Sequence, residues 1–135
     1  MPGYSGTPLA KKLGIKADFR VVLLHVPDDV KVELHDAFAS CREQSLRSNG
    51  LDFIFLFSQS RSALESELSR AAKALAQNGM IWVSWPKKSS GVVCDLSEDA
   101  VRKIGISAGL VDVKVCAVTH VWSGLKFVIP VKKRR

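Results

Sequence analysis

The sequence predicts a single α/β domain with a mostly parallel sheet, helices on both faces and a C-terminal antiparallel hairpin strand. Residues 19–26 and 51–57 are near-continuous apolar runs, the pattern of strands that are covered on both faces. Residues 61–77 carry an apolar stripe at helical spacing. This alternation favours parallel strands that are joined by right-handed crossovers. Residues 111–118 and 122–129 are two further strands, and the tight segment between them predicts a hairpin.

A short helix is predicted over residues 7–13, before the first long strand. Gly14 suits the exit of this helix, and Pro8 suits its first helical position. Ser5 or Thr7 could cap its N-terminus, because a hydroxyl there can accept a hydrogen bond from the first turn.

Residues 30–49 allow two interpretations. Val30, Val32 and Leu34 alternate with charged residues, as in a short strand. The same segment also has apolar residues at helical spacing, namely Leu34, Ala37, Phe38 and Cys41. The sequence leaves both interpretations open.

Two helices in the second half of the chain have N-terminal signals. Ser62, followed by Glu65 three residues later, predicts a capping box for the helix over residues 61–77, with an end at Asn78-Gly79. Ser97 predicts the cap of a later helix that ends at Gly109. Residues 80–85 lie between these two helices and predict a third buried strand.

Length and charge indicate one domain over residues 1–131 and a basic, disordered tail over residues 132–135. The tail supplies four of the seven net positive charges, so the body carries only a small excess. A tail of like charges could contact nucleic acid, but the body lacks the basic and aromatic interleaving of a nucleic-acid surface. Nucleic acid is therefore disfavoured as a partner.

The sequence pattern predicts no membrane span, no signal peptide and no zinc site. No apolar run approaches the roughly 20 residues that cross a bilayer, and the first residues do not resemble a signal peptide. Cys41, Cys94 and Cys116 are widely spaced and form no CxxC pair, which argues against a disulfide framework and a zinc site. We therefore expect a cytoplasmic protein with no metal and no membrane contact.

Four stretches resemble a small family of proteins known only as a domain of unknown function. They are residues 4–9 (YSGTPL), 80–88 (MIWVSWPKK), 111–118 (VDVKVCAV) and 122–126 (WSGLK). The second half of the chain also resembles the C-terminal half of the Rossmann-like methyltransferases, in which the last strand is antiparallel and inserted by a hairpin. The resemblance implies a truncated Rossmann-like, methyltransferase-like fold.

The turn after the first strand departs from the methyltransferase pattern. Those enzymes have a glycine-rich turn there, which lets the cofactor approach the backbone, whereas this chain has Pro27-Asp28-Asp29. They also place an acidic residue at the end of the second strand to hold the ribose, and Glu33 or Asp36 could align there. We expect no cofactor and no binding of S-adenosylmethionine. His25 lies within the first strand pattern and is interpreted as a core histidine.

The residues after the third strand predict an anion-binding loop at the carboxyl edge of the sheet, where open α/β sheets bind ligands. Ammonium groups and hydroxyls in this loop could hold a phosphate or a carboxylate. The alternative is a solvated turn. The predicted loop residues are Trp85, Lys87, Lys88, Ser89 and Ser90.

Two further groups of residues are candidate ligand contacts. Tyr4, Ser5 and Thr7 precede the first helix and could bind an anion there or simply cap the helix. His120 and Trp122 lie at the predicted hairpin, where an aromatic ring could stack on a ligand or pack as part of the core.

These patterns favour a non-enzymatic methyltransferase-like remnant that binds a partner protein or an anionic small molecule. Alternatives are a small divergent transferase that uses the loop at Lys87 and Lys88, and weak nucleic-acid binding through the basic tail. The first strand lacks the two covering strands of a full methyltransferase sheet. Either residues 30–49 cover it, or a second copy does, and we expect a homodimer.

Overall fold

A computed structural model describes residues 8–134 of the chain. Its strands are β1 (Arg20–Leu24), β2 (Arg42–Glu43), β3 (Leu51–Phe57), β4 (Leu75–Pro86), β5 (Val111–Ala117) and β6 (Trp122–Val128). Its helices are α1 (Leu9–Leu13), α2 (Asp28–Glu33), α3 (His35–Ala39), α4 (Arg61–Ala74) and α5 (Glu98–Ser107). The strands form one sheet in the order β2-β1-β3-β4-β6-β5. The first four strands in this order are parallel and the hairpin β5–β6 is antiparallel, which confirms the predicted fold class.

Helices cover both faces of the sheet. Ile54 and Leu56 of β3 face α4 and α5, whereas Phe53 and Phe55 face α1, α2 and α3. Successive side chains of a strand point to opposite faces, so a strand between two helical layers is apolar at almost every position. Within residues 8–134, no helix is long and apolar enough to cross a bilayer.

Trp82 of β4 attaches α1 to the sheet. Its side chain is fully buried, and the indole Nε1 donates a hydrogen bond to the Leu13 carbonyl at 2.9 Å. The neighbouring strand β6 has Gly124 beside the ring, where a Cβ would lie 3.2 Å from the indole. The missing side chain therefore makes room for the tryptophan.

The predicted first helix is present as α1, but its start differs from the prediction. Pro8 lies at the N-cap rather than at the first helical position, and no side chain caps the helix. Ser5 and Thr7, the predicted caps, lie outside the described residues. Gly14 ends the helix as predicted, with φ +82, in the left-handed region that glycine adopts without strain.

The helical interpretation of residues 30–49 is correct for the first half of that segment. Val30 and Leu34 are buried on the face of the sheet that α2 and α3 cover. The strand interpretation at positions 30 and 32 is wrong, because Val32 lies on the outer side of α2 and is largely exposed. The segment does contain a strand, β2, but it lies later in the chain and has only two residues.

The N-terminal caps of α4 and α5 are both serines, but only one was predicted correctly. Ser60 caps α4, because its Oγ accepts a hydrogen bond from the Ala63 N–H at 3.3 Å. The capping box predicted at Ser62 is wrong, since Ser62 already lies inside the helix. The predicted cap Ser97 is confirmed, with its Oγ accepting from the Ala100 N–H at 3.2 Å.

The chain passes from α4 to β4 without a turn, contrary to the predicted helix end at Asn78-Gly79. The helix ends at Ala74, and Leu75 is the first residue of the strand. Gly79 lies within β4, where a Cβ would come within 2.6 Å of the Leu51 carbonyl oxygen. Glycine is needed here for the close approach of two strands and not for the end of a helix.

Residues of the segment 30–49 cover the first strand. On the side of β1 away from β3, β2 pairs with Arg20 and Val21, and the Gln44 N–H donates to the Val21 carbonyl at 2.7 Å. Helices α2 and α3 pack over its face. Of the two alternatives for β1, the structure shows the first: residues 30–49 of the same chain cover this strand, and no second copy is needed at that edge.

Ser84 of β4 has the one unpartnered buried side-chain hydroxyl among the described residues. Burying a hydroxyl without a partner costs about 1–3 kcal/mol. We expect Ser84→Ala to raise the free energy of unfolding by about 1 kcal/mol in urea denaturation. Ser97→Ala is the matched control and should lower it by about 1 kcal/mol, because it removes a helix cap. Equal losses in the two variants would show that the Ser84 hydroxyl has a partner in solution.

The basic tail begins in a short 3₁₀ turn, Val131–Lys133, and the Arg134 guanidinium donates to the Ile129 carbonyl at 3.0 Å. A single hydrogen bond of this kind contributes about 1 kcal/mol at most on a surface. Deletion of residues 132–135 should therefore lower the melting temperature by less than about 5 °C in calorimetry. A larger fall would show that the tail is part of the folded core.

Candidate functional site

A groove of about 300 Å³ lies at the carboxyl ends of β1 and β3. The chain leaves β1 toward β2 on one side and returns to β3 on the other, so the strand order reverses between these two strands. Open α/β sheets bind ligands at such a point. The groove is lined by His25, Phe57, Ser58, Gln59, Ser60, Ala63, Glu67 and Trp122.

His25 has an unusual backbone at the end of β1. Its φ is +59, in the left-handed region that favours glycine. Its side chain leaves the core and is 62% exposed, and Nε2 lies 2.7 Å from the Glu67 carboxylate of α4. The interpretation of His25 as a core histidine is therefore wrong, because the turn directs the ring across the groove instead of into the sheet.

The serines of the groove are engaged in the turn between β3 and α4. Ser58 donates from Oγ to the Ser60 carbonyl at 3.1 Å, and Ser60 caps the helix. These hydroxyls therefore stabilise the turn into α4 and the start of that helix.

An aromatic wall closes the opposite side of the groove. The rings of Phe57 and Trp122 meet edge to face, with their centroids 4.9 Å apart. Trp122 is half-buried at the first position of β6, so part of its ring faces the groove. The predicted ligand contact at Trp122 thus lies in the groove, and the ring could stack on a planar ligand.

The predicted loop begins beside Trp122. The Lys87 N–H donates to the Val121 carbonyl at 2.8 Å, which fixes the start of the loop against the hairpin. Trp85 is buried in the core on the side of α4 and α5 and does not line the groove. His120 lies on the exposed turn that Thr119 closes by accepting from the Trp122 N–H at 3.1 Å.

The rest of the loop forms a tight turn. Ser90 Oγ donates to the Lys87 carbonyl at 2.6 Å and accepts from the Val92 N–H at 3.2 Å. Lys88 and Ser89 lie on the solvent side of this turn. Ser90 therefore stabilises a solvated turn, which was the alternative to an anion-binding loop. Neither Lys87 nor Lys88 has an ion-pair partner among residues 8–134. Tyr4, Ser5 and Thr7 lie outside the described residues.

Two partly buried cysteine thiols lie outside the groove. Burial raises the pKa of the Cys41 thiol and that of the Cys116 thiol, which keeps both protonated near neutral pH. Within residues 8–134, no three His, Cys, Asp or Glu side chains are placed to share a metal ion. The groove offers a histidine–glutamate pair and an aromatic wall instead.

Comparison with known families identifies the relatives of this chain. A family described as protein of unknown function DUF3052 matches residues 10–131. The chain belongs to this family. Among curated protein sequences, none matches the chain significantly.

Solved methyltransferases have a similar fold to this DUF3052 protein. A Sulfolobus solfataricus protein assigned to the type 11 methyltransferases is 14% identical, with a TM-score of 0.64 over 94% of this chain and 92% of that one. A TehB-like methyltransferase from Corynebacterium glutamicum is 9% identical, with a TM-score of 0.56 over 94% and 90%. Magnesium protoporphyrin IX methyltransferase from Synechocystis is 11% identical, with a TM-score of 0.58 over 90% and 74%. At these identities the likeness shows the fold alone.

The structure does not place either predicted acidic residue at the end of the second strand. Glu33 lies at the end of α2 and Asp36 lies in α3, so neither ends the second strand. Glu43 does, as the last residue of β2. Sequence reasoning missed Glu43 because a two-residue strand has no apolar pattern of its own. It also missed the pairing of His25 with Glu67, which only the packing of α4 brings together.

The left-handed backbone at position 25 predicts an order of stability between two variants. Both His25→Gly and His25→Ala lose the hydrogen bond to Glu67, so their difference isolates the backbone. We expect the glycine variant to be about 1 kcal/mol more stable in urea denaturation, because only glycine adopts this φ without strain. An alanine variant of equal or higher stability would contradict the conformation described for this turn.

Proposed function

We propose that this protein is a non-enzymatic, cytoplasmic binding module with a methyltransferase-like fold, whose ligand is a small anionic molecule. The ligand lies at the carboxyl edge of the sheet, with its ring or apolar part against Trp122 and its charge toward Lys87. The single observation that carries the proposal is the altered turn after β1, where the His25 side chain lies at the edge of the groove.

The altered turn argues against methyl transfer. A glycine-rich turn brings bare backbone to the cofactor, whereas the left-handed residue here carries an imidazole that is hydrogen-bonded to Glu67. The next helix begins with Asp28 and Asp29. These two carboxylates already interact with the positive end of α2, so they disfavour an additional anionic group such as an amino-acid carboxylate there.

The opposite rim of the groove supports an anion. Lys87 is half-buried, and its N–H donates to the carbonyl of Val121, the residue before Trp122, so the start of the loop is held beside this rim. The Trp122 ring provides an apolar contact on the same rim. An ammonium group beside an aromatic surface is a common way to hold a small molecule that combines a ring with a phosphate.

A protein partner, including a second copy of the chain, is the second candidate. Strand β5 is the outermost strand of the sheet, and three of its valines are exposed: Val111, Val113 and Val115. An apolar edge strand favours pairing with another chain. Analytical ultracentrifugation at about 100 μM should then show a dimer that Val115→Lys abolishes.

Adenosine monophosphate is a suitable probe of the small-molecule proposal, because it combines a ring with a phosphate. A ligand at ten times its Kd stabilises the native state by about 1.4 kcal/mol, which thermal unfolding detects. We expect this stabilisation in the parent and its loss in the double variant Lys87→Ala with Lys88→Ala. The matched control is Lys73→Ala with Lys103→Ala, which removes two exposed lysines from α4 and α5.

The control should respond to the nucleotide as the parent does. Equal stabilisation of the Lys87/Lys88 variant would remove the loop from the site. If the nucleotide stabilised neither the parent nor the variants, the proposal of a ligand that combines a ring with a phosphate would be wrong.

A further inference from the structure

Two lysines face each other across the terminal hairpin. Lys114 of β5 and Lys126 of β6 are direct cross-strand partners. Like charges directly opposite each other destabilise a sheet. Among residues 8–134, neither lysine forms an ion pair with a carboxylate.

Both lysines lie on the face of the sheet that α1 covers. Lys126 is the direct partner of Trp82 in the pairing of β4 with β6, and Lys114 Nζ lies 6.0 Å from the centre of the Trp82 ring. Lys12 of α1 extends to the same hairpin, where its Nζ lies 3.5 Å from the Ala117 carbonyl oxygen. These three lysines, Lys12, Lys114 and Lys126, form what we call the hairpin lysine cluster.

The electrostatic neighbours of the cluster support this grouping. Cys116, two residues from Lys114 on β5, feels the positive charges of both Lys12 and Lys114, which act against the rise of its pKa on burial. Burial lowers the pKa of Lys126, and the charge of Lys114 lowers it further. The nearest acidic residue on β5, Asp112, binds Arg102 of α5 on the other face of the sheet at 3.0 Å.

The hairpin thus places two like charges opposite each other, and one of them, Lys126, is partly buried without a carboxylate partner among residues 8–134. Such a local conflict is typical of a functional site, because the ligand supplies the missing charge. We propose that the hairpin lysine cluster binds a small phosphate-bearing ligand with at least two negative charges. This site is separate from the carboxyl-edge groove, since Lys114 and Lys126 lie in the middle of their strands.

The dimensions of the cluster favour a small ligand over nucleic acid. Its three lysines lie on one hairpin or contact it, and the body of the chain has only a small positive excess. Nucleic-acid surfaces present a longer basic stripe that follows the phosphate backbone. Lysines act on phosphate as point charges, and two or three of them match the charge of a pyrophosphate group.

Inorganic pyrophosphate at constant ionic strength is the probe for this site. We expect calorimetry to show that it binds the parent, and that Lys114→Gln and Lys126→Gln each weaken binding about tenfold. Both variants should fold, because each removes a like-charge repulsion. Lys103→Gln, on the exposed side of α5, is the matched control and should bind as the parent does.

The alkylation rate of the Cys116 thiol is an independent measure of anion binding at the same site. In a chain with Cys41→Ser and Cys94→Ser, pyrophosphate should slow the alkylation of Cys116 by iodoacetamide. The bound anion neutralises Lys12 and Lys114, which raises the thiol pKa, and it also shields the thiol. The Lys114→Gln variant should show no such slowing.

Three outcomes would overturn the proposal. The first is a parent that does not bind pyrophosphate. The second is binding that Lys114→Gln and Lys126→Gln leave unchanged but Lys87→Ala with Lys88→Ala removes, which would assign the anion to the carboxyl-edge loop. The third is binding of duplex DNA, but not pyrophosphate, that depends on the hairpin lysine cluster, which would indicate a nucleic-acid surface. Loss of nucleotide binding at the groove alone would leave the proposal for the cluster unaffected.

Discussion

The hydrogen bond from the Trp82 indole to the Leu13 carbonyl connects the parts of this fold that lie far apart in sequence. It holds α1 against the middle of the sheet, and the ring fills the space beside Gly124 that a larger residue would occupy. Because α1 is fixed there, its Lys12 extends to the hairpin and meets the charge of Lys114. The packing of one aromatic residue thus places α1 on the sheet and brings Lys12 to the hairpin, where the strand pairing already holds Lys114 and Lys126.

The carboxyl edge of the sheet combines a groove with an unusual turn after its first strand. The reversal of strand order between β1 and β3 still creates a groove. At the turn where methyltransferases need bare backbone, however, His25 keeps a left-handed conformation and extends a side chain to Glu67. Left-handed residues other than glycine cost about 1 kcal/mol or more and concentrate at functional sites. The strain at His25 therefore agrees with a role in the groove.

Sequence patterns predicted the parts of the fold that depend on burial. The run over β3 is apolar at nearly every position because helices cover both faces, and Ser97 caps α5 through a contact only three residues away. By contrast, β2 has only two residues and forms through long-range hydrogen bonds at β1, such as that from the Arg42 N–H to the carbonyl of Phe19, the residue before β1. No local pattern encodes such a strand.

The candidate sites were less predictable than the fold, because long-range register decides them. Lys114 and Lys126 become partners only through the pairing of the hairpin, which has an irregularity between Asp112 and Lys114 that shifts the register. His25 and Glu67 are 42 positions apart and meet only when α4 packs on the sheet. The loop at Lys87 was predictable in place, since it follows a strand that the apolar pattern shows.

We propose that this chain has the fold of the methyltransferases without their cofactor turn. Titration calorimetry with S-adenosylmethionine tests it most directly, on the parent chain at a ligand concentration of about 1 mM. We predict no saturable heat, because the turn at His25 and Pro27 carries side chains where the cofactor needs bare backbone. Binding with a Kd below about 100 μM, equivalent to roughly 5.5 kcal/mol, would contradict the claim.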